Sequence, residues 1–599
     1  MKSHPKDHSL ASLLQMLIMI HAIVALHTTA SAAPPNVLII LADDMGWGDI
    51  AINGNKDVAT PHLDSLARNG LRFDRFFVSP VCSPTRAEFL TGRYHLRSGV
   101  CDTSKGGERM NADERTIADL FRSAGYATAC FGKWHNGGNF PHHPNARGFD
   151  EFYGFCSGHW GDYLSPELEH NGVMVKGQGF VADDFTNRAS TYITQQHKDG
   201  KPFFVFLAYN TPHSPMQVPE EWWKKFQNKK ITQTVTKPRH TPLDHTRAAL
   251  ALCENIDANL GRMLQTLENL KIADDTIVLF FSDNGPNGFR WNDGMKGIKG
   301  SVDEGGIRSP LFMRWQNRLP RGETIHSIAA AIDIFPTLTD LAGIAQKNEK
   351  PLDGVSWKPL LFDPAKTTTT WPDRIIFSHW NGKISARSQH YRLDAEGRLF
   401  DMTADPAQHH DVSKRDAATM GMMQSAVATW KNSILPQAAN HNQPFIIAHP
   451  DCPWSRLTAD DARASGSIQR SSVHPNCSYL IHWKSLEDRI TWEVDVMTAG
   501  NYQLDLCYSC PKKDIGSRIE ISLGTNRMTS KLTDPHDPPL RGFEAERVPR
   551  SESYMKDFRK LNLGIMRMDK GKNIFTMRAT EIPGDQVMEF RSLTFTRRP

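Results

Sequence analysis

The stretch Cys82-Ser-Pro-Thr-Arg-Ala-Glu-Phe-Leu-Thr-Gly-Arg93 is the part of the chain around which the rest is organised. Pro84 lacks a backbone N–H and has a fixed φ, which suits the first turn of a helix, and Gly92 suits its end. Cys82 is therefore predicted at a helix N-terminus, where free N–H groups favour an anion. Arg86, one turn on, is predicted to point back to it. Alone, the two residues fit either an oxyanion site or a buried thiol before a surface helix.

Three apolar runs of strand length each lead into polar residues. They are Asn36–Leu41 before Asp43 and Asp44, Phe203–Leu207 before Asn210-Thr-Pro-His213, and Thr276–Phe281 before Asp283 and Asn284. Continuous apolar runs indicate strands that are buried on both faces of a parallel sheet. Ligands of such sheets bind beyond the carboxyl ends of the strands. The polar residues that follow the three runs are therefore predicted to converge on one site.

Helical patterns lie between and after these strands. They cover Thr116–Arg122 before Gly125, about Thr246–Leu270, and Ile332–Leu341. The second shows apolar residues at the helical period, and Gly125 suits a C-terminal cap. Strands that alternate with helices predict an α/β domain with a mainly parallel sheet sandwiched by helices.

Four of the strand-end residues are oxygen donors of the kind that hard cations prefer. They are Asp43, Asp44, Asp283 and Asn284. Carboxylate and amide oxygens suit Ca²⁺ or Mg²⁺ rather than zinc. A single aspartate after a strand is usually a turn residue or a helix cap, but two pairs at equivalent strand ends favour a metal site.

The string from Cys82 to Arg93 resembles the signature of the type I sulfatases, a family of the alkaline-phosphatase-like superfamily. A second string, Gly125-Tyr-Ala-Thr-Ala-Cys-Phe-Gly-Lys-Trp-His135, resembles the family's other signature. The resemblance spans about residues 35–435 and implies that a formylglycine-generating or anaerobic sulfatase-maturating enzyme oxidises Cys82 to Cα-formylglycine. The hydrated aldehyde offers one hydroxyl to attack sulfur and another to expel sulfate, whereas a thiol would form a thiosulfate that has no easy way off.

The resemblance also implies the roles of single residues. Residue 82 and the four strand-end donors would bind calcium, with magnesium the less favoured ion. Arg86 and Lys133 belong to the catalytic set, Lys133 as a group that supports the hydrate and binds sulfate. His135 would be the base that releases sulfate. His213 and Lys299 would bind sulfate and protonate the leaving alkoxide, with Lys296 a weaker candidate for the role of Lys299.

Three residues are predicted to contact the substrate. Asn136 stands where the family usually has leucine, a departure that we interpret as tuning for the substrate. His159 and Trp160 lie in Phe155–Asp162, which has the aromatic and polar side chains to stack on a sugar and hydrogen-bond to it. This segment also resembles polysaccharide sulfatases that act on galactose-type sugars.

The first residues predict export. Lys2 and Lys6 precede the apolar run Leu10–Leu26, and Ala30-Ser-Ala32 is a cleavage motif, so residues 1–32 are predicted to be a signal peptide. A retained anchor is the alternative; after removal of the signal no stable membrane span is expected. The predicted location is the periplasm or the outside of the cell. A net charge of +4 over 599 residues is too small to indicate a nucleic-acid partner.

Three further regions are predicted along the chain. Residues 33–365 form the sulfatase catalytic domain and residues 366–440 a small α+β subdomain, with a Thr- and Pro-containing connector near 363–373. Residues 450–599 show short alternating strands, including Trp492–Val496 and Val587–Phe590, which predict an appended β-sandwich. It resembles carbohydrate-binding modules; a sandwich that only packs on the catalytic domain is the alternative. Two late cysteine pairs are candidate disulfides, Cys452 with Cys477 and Cys507 with Cys510, the second pair fitting two free thiols as well.

The sequence thus predicts an exported, calcium-dependent hydrolase of sulfate esters, with a sulfated carbohydrate as substrate. Two alternatives stay open. One is a phosphate or phosphonate ester hydrolase of the same superfamily, which shares the metal ligands and the sheet. The other is a non-catalytic protein that binds sulfated glycans and whose Cys82 is never converted.

Overall fold

A computed structural model describes residues 1, 34–235, 241–346, 350–363, 371, 373–438 and 443–599. Apart from Met1, the predicted signal peptide lies outside the described residues, as do most of the connector near 363–373 and the predicted boundaries at 365 and 440. None of the helices in the described ranges has the length and apolar composition needed to span a bilayer.

An 11-stranded mixed sheet forms the centre of the molecule, with the strand order β10-β2-β9-β8-β1-β7-β3-β4-β5-β6 and β11 paired to β2. Its strands are β1 Asn36–Asp43, β2 Leu71–Phe77, β3 Ala127–Lys133, β4 Glu151–Phe155, β5 Glu167–His170, β6 Val173–Lys176, β7 Phe203–Pro212, β8 Thr276–Ser282, β9 Arg308–Trp315, β10 Glu323–Ile325 and β11 Ala329–Ala330. The five neighbours β8, β1, β7, β3 and β4 are parallel. Antiparallel pairing is confined to β9 and to the edge strands β5 and β6.

Helices cover both faces of this sheet, as predicted. Those of the catalytic region are α1 Pro61–Arg68, α2 Cys82–Thr91, α3 Ile117–Ser123, α4 Val181–Lys198, α5 Glu220–Phe226, α6 Leu243–Asn269, α7 Glu304–Ile307, α8 Ile334–Leu341 and α9 Lys358–Phe362. Alternate residues of β1 serve two cores: Leu38 and Ile40 pack with α1, α4 and α6, while Val37 and Ile39 pack with α2, α3, α8 and α9. Burial on both faces explains why the strand reads as one continuous apolar run.

A small antiparallel sheet follows the central one. It contains β12 Ile376–Trp380, β13 Lys383–Arg387, β14 Tyr391–Leu393 and β15 Leu399–Asp401, and α10 Ala417–Ile434 packs on it through Met423. Trp430 of the same helix reaches Tyr94 of the catalytic region, with 5.6 Å between the ring centroids. The subdomain is therefore joined to the catalytic region by an apolar contact.

The C-terminal region is a sandwich of two six-stranded sheets. Its strands are β16 Phe445–Ile447, β17 Trp454–Thr458, β18 Arg463–Ser465, β19 Gln469–Arg470, β20 Leu480–Ile481, β21 Arg489–Val496, β22 Gly500–Ser509, β23 Arg518–Leu523, β24 Asn526–Lys531, β25 Arg559–Met568, β26 Gly571–Glu581 and β27 Glu589–Arg598. Trp492 on one sheet contacts Phe590 on the other, with 5.7 Å between the ring centroids. The predicted fold class, α/β with a β-sandwich appended, is confirmed.

Three details differ from the predictions. Strand β16 pairs with β21, so the sandwich begins before residue 450. Val587 lies ahead of β27, where its backbone N–H donates to the carbonyl of Trp483 instead of a sheet neighbour (2.8 Å). The pairs Cys452–Cys477 and Cys507–Cys510 form no disulfide. Cys507 and Cys510 are three residues apart in extended backbone, which turns their side chains to opposite faces.

Glu304 ties the small subdomain to the catalytic region. This buried carboxylate lies 2.6 Å from Arg392 of β14, 3.5 Å from Arg387 of β13 and 3.7 Å from Arg308 of β9. Although burial alone would raise the pKa of Glu304, the three arginines lower it to about 2. This glutamate, the first residue of α7, therefore has a structural role at the junction of the two regions.

We predict that Glu304→Gln destabilises the protein by about 3–5 kcal/mol, because removing one member of a buried ion pair leaves the other charge uncompensated. Urea unfolding followed by tryptophan fluorescence measures the effect. The matched control is Asp585→Asn, which removes the partner of Lys513 in a pair whose side chains are 69% and 77% exposed. A midpoint for Glu304→Gln as close to wild type as that of the control contradicts the prediction.

Candidate active site

The carboxyl ends of four neighbouring strands bring the predicted residues together. Asp43 ends β1 and Asp44 follows it, Lys133 ends β3, and His213 directly follows β7. Asp283 and Asn284 directly follow β8. Asp44 and His135 have φ of 69° and 68°, a left-handed conformation that non-glycine residues seldom adopt. The backbone thus turns sharply where each of these side chains enters the site.

Each carboxylate in this group pairs with a cation. Lys133 Nζ lies 2.6 Å from Asp43 Oδ2, and Lys299 Nζ lies 2.7 Å from Asp44 Oδ1. Arg86 Nη2 lies 2.8 Å from Asp283 Oδ2, and its Nη1 donates to the backbone carbonyl of Lys133 (2.6 Å). These contacts bring together residues from four separate parts of the chain, as the sequence predicts.

Cys82 is the first residue of α2, a ten-residue helix in which every residue is buried. This excludes the alternative of a thiol before a surface helix. Burial raises the pKa of the Cys82 thiol, even though the charges of Lys133 and Lys299 act to lower it. Gly92, with a φ of 69°, caps the helix at its C-terminal end as predicted. The unmodified side chain is therefore a neutral thiol and a weak nucleophile.

The donor set fits a hard divalent cation. One ligand atom each of Asp43, Cys82 and Asp283 lies within 4.8 Å of the others. Asp43 Oδ1 and Asn284 Oδ1 are buried without a hydrogen-bond partner. The orientation of the Asn284 amide is fixed because its nitrogen donates to Asp44 Oδ1 (2.7 Å). Buried polar atoms are rarely left unpaired. These orphaned oxygens are of the type that Ca²⁺ and Mg²⁺ bind.

The charges of the surrounding side chains are compatible with a bound divalent cation. Three carboxylates (Asp43, Asp44 and Asp283) face three cations (Arg86, Lys133 and Lys299), so the protein groups balance one another. Burial and the charge of Asp43 raise the pKa of Asp283 to about 7, which shows that Arg86 does not fully compensate that carboxylate. A bound divalent cation would stabilise the carboxylate and leave positive charge for an anionic substrate.

The hydrogen bond of His135 shows which ring nitrogen can take up a proton. Its Nε2 lies 2.9 Å from the carbonyl oxygen of Thr103, and a carbonyl only accepts, so Nε2 carries the hydrogen. Nδ1 is buried and has no partner. Burial lowers the pKa of His135 well below its usual range, and the charge of Lys133 adds to this effect. The ring is thus a neutral imidazole whose Nδ1 lone pair is available.

Two further predicted residues lie around Asp44. His213 Nδ1 is 2.6 Å from the carbonyl of Ser214, and its Nε2 is 3.7 Å from Asp44 Oδ2. Lys296 points away from this group, to Asp303 at 3.1 Å and Asp394 at 3.7 Å. Of the two candidate lysines, the structure therefore brings only Lys299 into the site.

The three predicted substrate-binding residues differ in their contacts with the catalytic residues. His159 stacks on His213 with 5.8 Å between the ring centroids, and its buried Nε2 has no partner. Asn136 is fully buried and donates to Ser83 Oγ (3.2 Å), so it holds the start of α2 in place. Trp160 is 8% exposed and stacks on Phe155, and it lines the cavity between the catalytic region and the sandwich. Among the three, His159 is the residue placed beside the catalytic group.

Several residues around the site were not identified from the sequence. Arg290 Nη2 donates to the backbone carbonyl of Asp44 (2.8 Å) and forms an ion pair with Asp49. The sandwich contributes Glu552, which accepts a hydrogen bond from Ser214 Oγ. It also contributes His474, whose ring is 6.4 Å from that of His159. No local motif marks these residues, since the packing of the two regions alone brings them here.

Comparisons with known proteins agree with this geometry. Residues 35–344 match the family model Sulfatase, and residues 298–428 match the model "N-sulphoglucosamine sulphohydrolase, C-terminal". The first match covers more than half of the chain and contains every predicted catalytic and metal-binding residue.

Relatives and solved structures give the same result. N-acetylgalactosamine-6-sulfatase of Canis lupus familiaris is 29% identical over 404 residues, covering 62% of this chain and 73% of the relative. Arylsulfatase A of Bos taurus is 32% identical over 432 residues, covering 63% and 79%. The crystal structure of Ps i-CgsB in complex with k-i-k-neocarrahexaose has a TM-score of 0.63 and 30% identity, covering 68% of this chain and 95% of that one. The chain therefore belongs to the sulfatase family and is a sulfuric ester hydrolase.

Proposed function

We propose that this protein is exported and hydrolyses sulfate esters of carbohydrates, using a calcium ion and a Cα-formylglycine formed from Cys82. The observation that carries the proposal is the convergence of Asp43 and Asp283 on Cys82, with one ligand atom of each residue within 4.8 Å of the others. A buried, neutral thiol at the centre of three carboxylates and three cations is a poor catalyst as encoded. Conversion to an aldehyde hydrate gives this position the hydroxyls that sulfate transfer needs.

The proposed ion would be held by Asp43, Asp44, Asp283, Asn284 and residue 82. When bound, it would supply a Lewis acid that lowers the pKa of a coordinated hydroxyl and neutralises charge on the sulfate. Calcium is favoured over magnesium because the donors are protein oxygens, whereas magnesium usually keeps several waters. The unpartnered oxygens of Asp43 and Asn284 support this assignment.

The side chains around residue 82 have complementary tasks. Lys133 and Lys299 are two cations whose charges both act on Cys82, and they would attract the sulfate and stabilise charge in the transition state. Arg86 holds Asp283 and the carbonyl of Lys133 at the end of β3, so it positions these residues of the site. His135 takes up a proton at Nδ1, which its bond to Thr103 leaves free. The Ser214 carbonyl keeps a hydrogen on His213 Nδ1, and burial lowers the pKa of His213 to about 4, so His213 can donate from Nε2 to the leaving oxygen only as an imidazolium, a form that Asp44 at 3.7 Å favours.

A sulfated carbohydrate is the proposed substrate. One relative is named for 6-sulfated N-acetylgalactosamine, and a similar structure contains k-i-k-neocarrahexaose. His159, whose free Nε2 lies beside His213, is placed to hydrogen-bond to a sugar. The predicted signal peptide supports export to the periplasm or the outside of the cell, and a maturating enzyme would convert Cys82. Sulfatases share metal ligands with phosphate and phosphonate ester hydrolases, so that activity remains the alternative to test.

The first prediction about the proposed function concerns the conversion of residue 82. Protein produced with a formylglycine-generating or anaerobic maturating enzyme is expected to show an aldehyde at position 82 by mass spectrometry of the tryptic peptide. It is expected to hydrolyse 4-nitrophenyl sulfate faster than 4-nitrophenyl phosphate, while Cys82→Ala, which cannot be converted, loses the sulfatase activity. The Cys253→Ala variant, which removes a buried thiol in α6, serves as the matched control.

Two outcomes would contradict this proposal. An unconverted thiol in protein purified from its native source favours the glycan-binding alternative. A faster reaction with the phosphate ester favours the phosphatase alternative.

The second prediction concerns the metal. Calcium at about 100 times its dissociation constant is expected to stabilise the folded protein by about 2.7 kcal/mol, since it binds only the folded site. Asn284→Ala removes an unpartnered ligand oxygen and should reduce the calcium-dependent shift in melting temperature, measured with calcium and with a chelator. Asn269→Ala, at the exposed end of α6, should keep the full shift. Equal shifts in both variants would rule out Asn284 as a ligand.

The third prediction separates the two lysines. Lys299→Ala should lower kcat for an aryl sulfate by about 10²–10³-fold, the usual cost of losing one group that stabilises transition-state charge. Lys296→Ala, which removes a cation paired with Asp303 outside the site, should stay within about threefold of wild type, a margin of less than 1 kcal/mol. Steady-state kinetics on the converted protein measure both effects. Similar losses in the two variants would show that the assignment is wrong.

A further inference from the structure

A cavity lies between the catalytic region and the sandwich. Its volume is about 130 Å³, and both regions line it. Because one water molecule needs about 10–15 Å³ of such volume, the cavity has room for about ten water-sized groups, and one monosaccharide is of similar size. Phe155 and Met174 of the central sheet give it an apolar side, and Phe445 and Ile446 of the sandwich add to this. Ligand sites often form between domains and combine apolar walls with a few polar groups.

The cavity borders the catalytic centre through His135, which is part of its lining. Asn476 of the sandwich donates to the carbonyl of Thr103 (3.0 Å), the same oxygen that His135 Nε2 contacts at 2.9 Å. Gly158 fits between them, since a Cβ there would lie 2.4 Å from the Asn476 amide nitrogen and 2.6 Å from His135 Nε2. The sandwich therefore packs directly against the support of the predicted base.

Hydrogen-bond acceptors are concentrated on one side of the cavity. Asp460 and Asp461 follow β17 of the sandwich and face Glu108 of the catalytic region. Burial, and then the charges of Asp460 and Glu108, raise the pKa of Asp461 well above its usual range, which shows how closely the three carboxyls lie. Asp460 Oδ1 is buried and has no hydrogen-bond partner. These groups are not neutralised by local ion pairs.

Five cations also line the cavity, namely Lys105, Arg109, Arg456, Lys560 and Arg591. Arg456 is 3.1 Å from Glu169, which also binds His143. Arg109 donates to the carbonyls of Gln443 and Pro444. Six carboxyl residues line the cavity with these five cations, namely Glu108, Glu167, Glu169, Asp460, Asp461 and Asp505. Because the cations are not in excess and Asp460 Oδ1 has no partner, the cavity favours hydroxyl donors over a second sulfate or a uronate.

We propose that this cavity binds the uncharged, hydroxyl-bearing sugar unit next to the sulfated one, so that the sandwich forms one wall of the substrate site. The proposal rests on the proposed function and specifies its substrate as a chain in which a sulfated sugar is followed by an unsulfated one. The carboxyls accept hydrogen bonds from the hydroxyls, and the aromatic and aliphatic side chains pack on the sugar's carbon-bound hydrogens.

The experiment compares two substrates of the converted protein: a monosulfated galactose, and a galactobiose with the same sulfate and an unsulfated second unit. The measured quantity is the ratio of kcat/KM for the disaccharide to that for the monosaccharide. Asp460→Asn removes the charge of the carboxylate whose Oδ1 has no partner, with little change of shape, and the ratio should fall at least about tenfold. Lys560→Trp, at an exposed lining residue, should block the cavity and lower the same ratio.

Asp451→Asn is the matched control, because this aspartate is on the same sandwich, outside the cavity lining, and its side chain is 81% exposed. It should keep the wild-type ratio. Wild-type ratios in both Asp460→Asn and Lys560→Trp overturn the proposal, as does a faster reaction when the second galactose is also sulfated.

Calorimetric titration with unsulfated galactobiose measures binding to the cavity independently of catalysis. Wild-type protein should bind the disaccharide, and Asp460→Asn should bind it at least about tenfold more weakly. Equal affinities overturn the role of the cavity even if the protein proves not to hydrolyse sulfate esters. Conversely, a converted protein that binds galactobiose but hydrolyses neither sugar sulfate contradicts the proposed function and leaves the cavity's role supported.

Discussion

Three buried carboxylates at adjacent strand ends can remain ionised only if positive charge surrounds them. Asp43, Asp44 and Asp283 meet this condition through Lys133, Lys299 and Arg86, which come from different parts of the chain. Removing one member of such a buried pair leaves an uncompensated charge and costs about 3–5 kcal/mol. The arrangement therefore holds β1, β3, β8 and α2 in register around one point. Because the protein charges balance, a bound divalent cation would add positive charge that an anionic sulfate ester partly offsets.

The position of α2 follows from this constraint. Arg86 lies four residues after Cys82, so it points along the helix toward the same end, where it binds Asp283 and the carbonyl of Lys133. The helix is buried along its whole length and cannot shift to accommodate a displaced side chain. Asn136 adds a bond to Ser83 at the helix start. Residue 82 is thus fixed by the same contacts that neutralise the carboxylates, which links the catalytic geometry to the stability of the core.

The sequence predicts the site well where the argument rests on strand ends. Apolar runs that finish in Asp43, Asp44, Asp283 and Asn284 identify parallel strands, and the carboxyl ends of parallel strands share one edge of the sheet. The sequence favours Lys299 over Lys296 through the family resemblance alone, since only two loop residues separate them, and the fold then shows that Lys296 pairs with Asp303. Trp160 was predicted to contact sugar from composition alone, and the fold shows that its ring stacks on Phe155 and lines the cavity beside the sandwich. Local sequence cannot tell an aromatic residue of the core from one of a binding surface.

The contribution of the sandwich is the part that no local pattern predicts. Its strands are recognised by their alternation, but this alternation describes only which side chains face the inside of the sandwich. The side chains that reach the catalytic region, such as Asn476 and Glu552, lie in loops between strands. Loops carry little periodic signal and are placed by the docking of whole domains. Because Asn476 and His135 share the carbonyl of Thr103, a displacement of the sandwich would alter the support of the predicted base. An appended module thereby becomes a structural part of the active site, because its Asn476 helps to hold the carbonyl that positions His135.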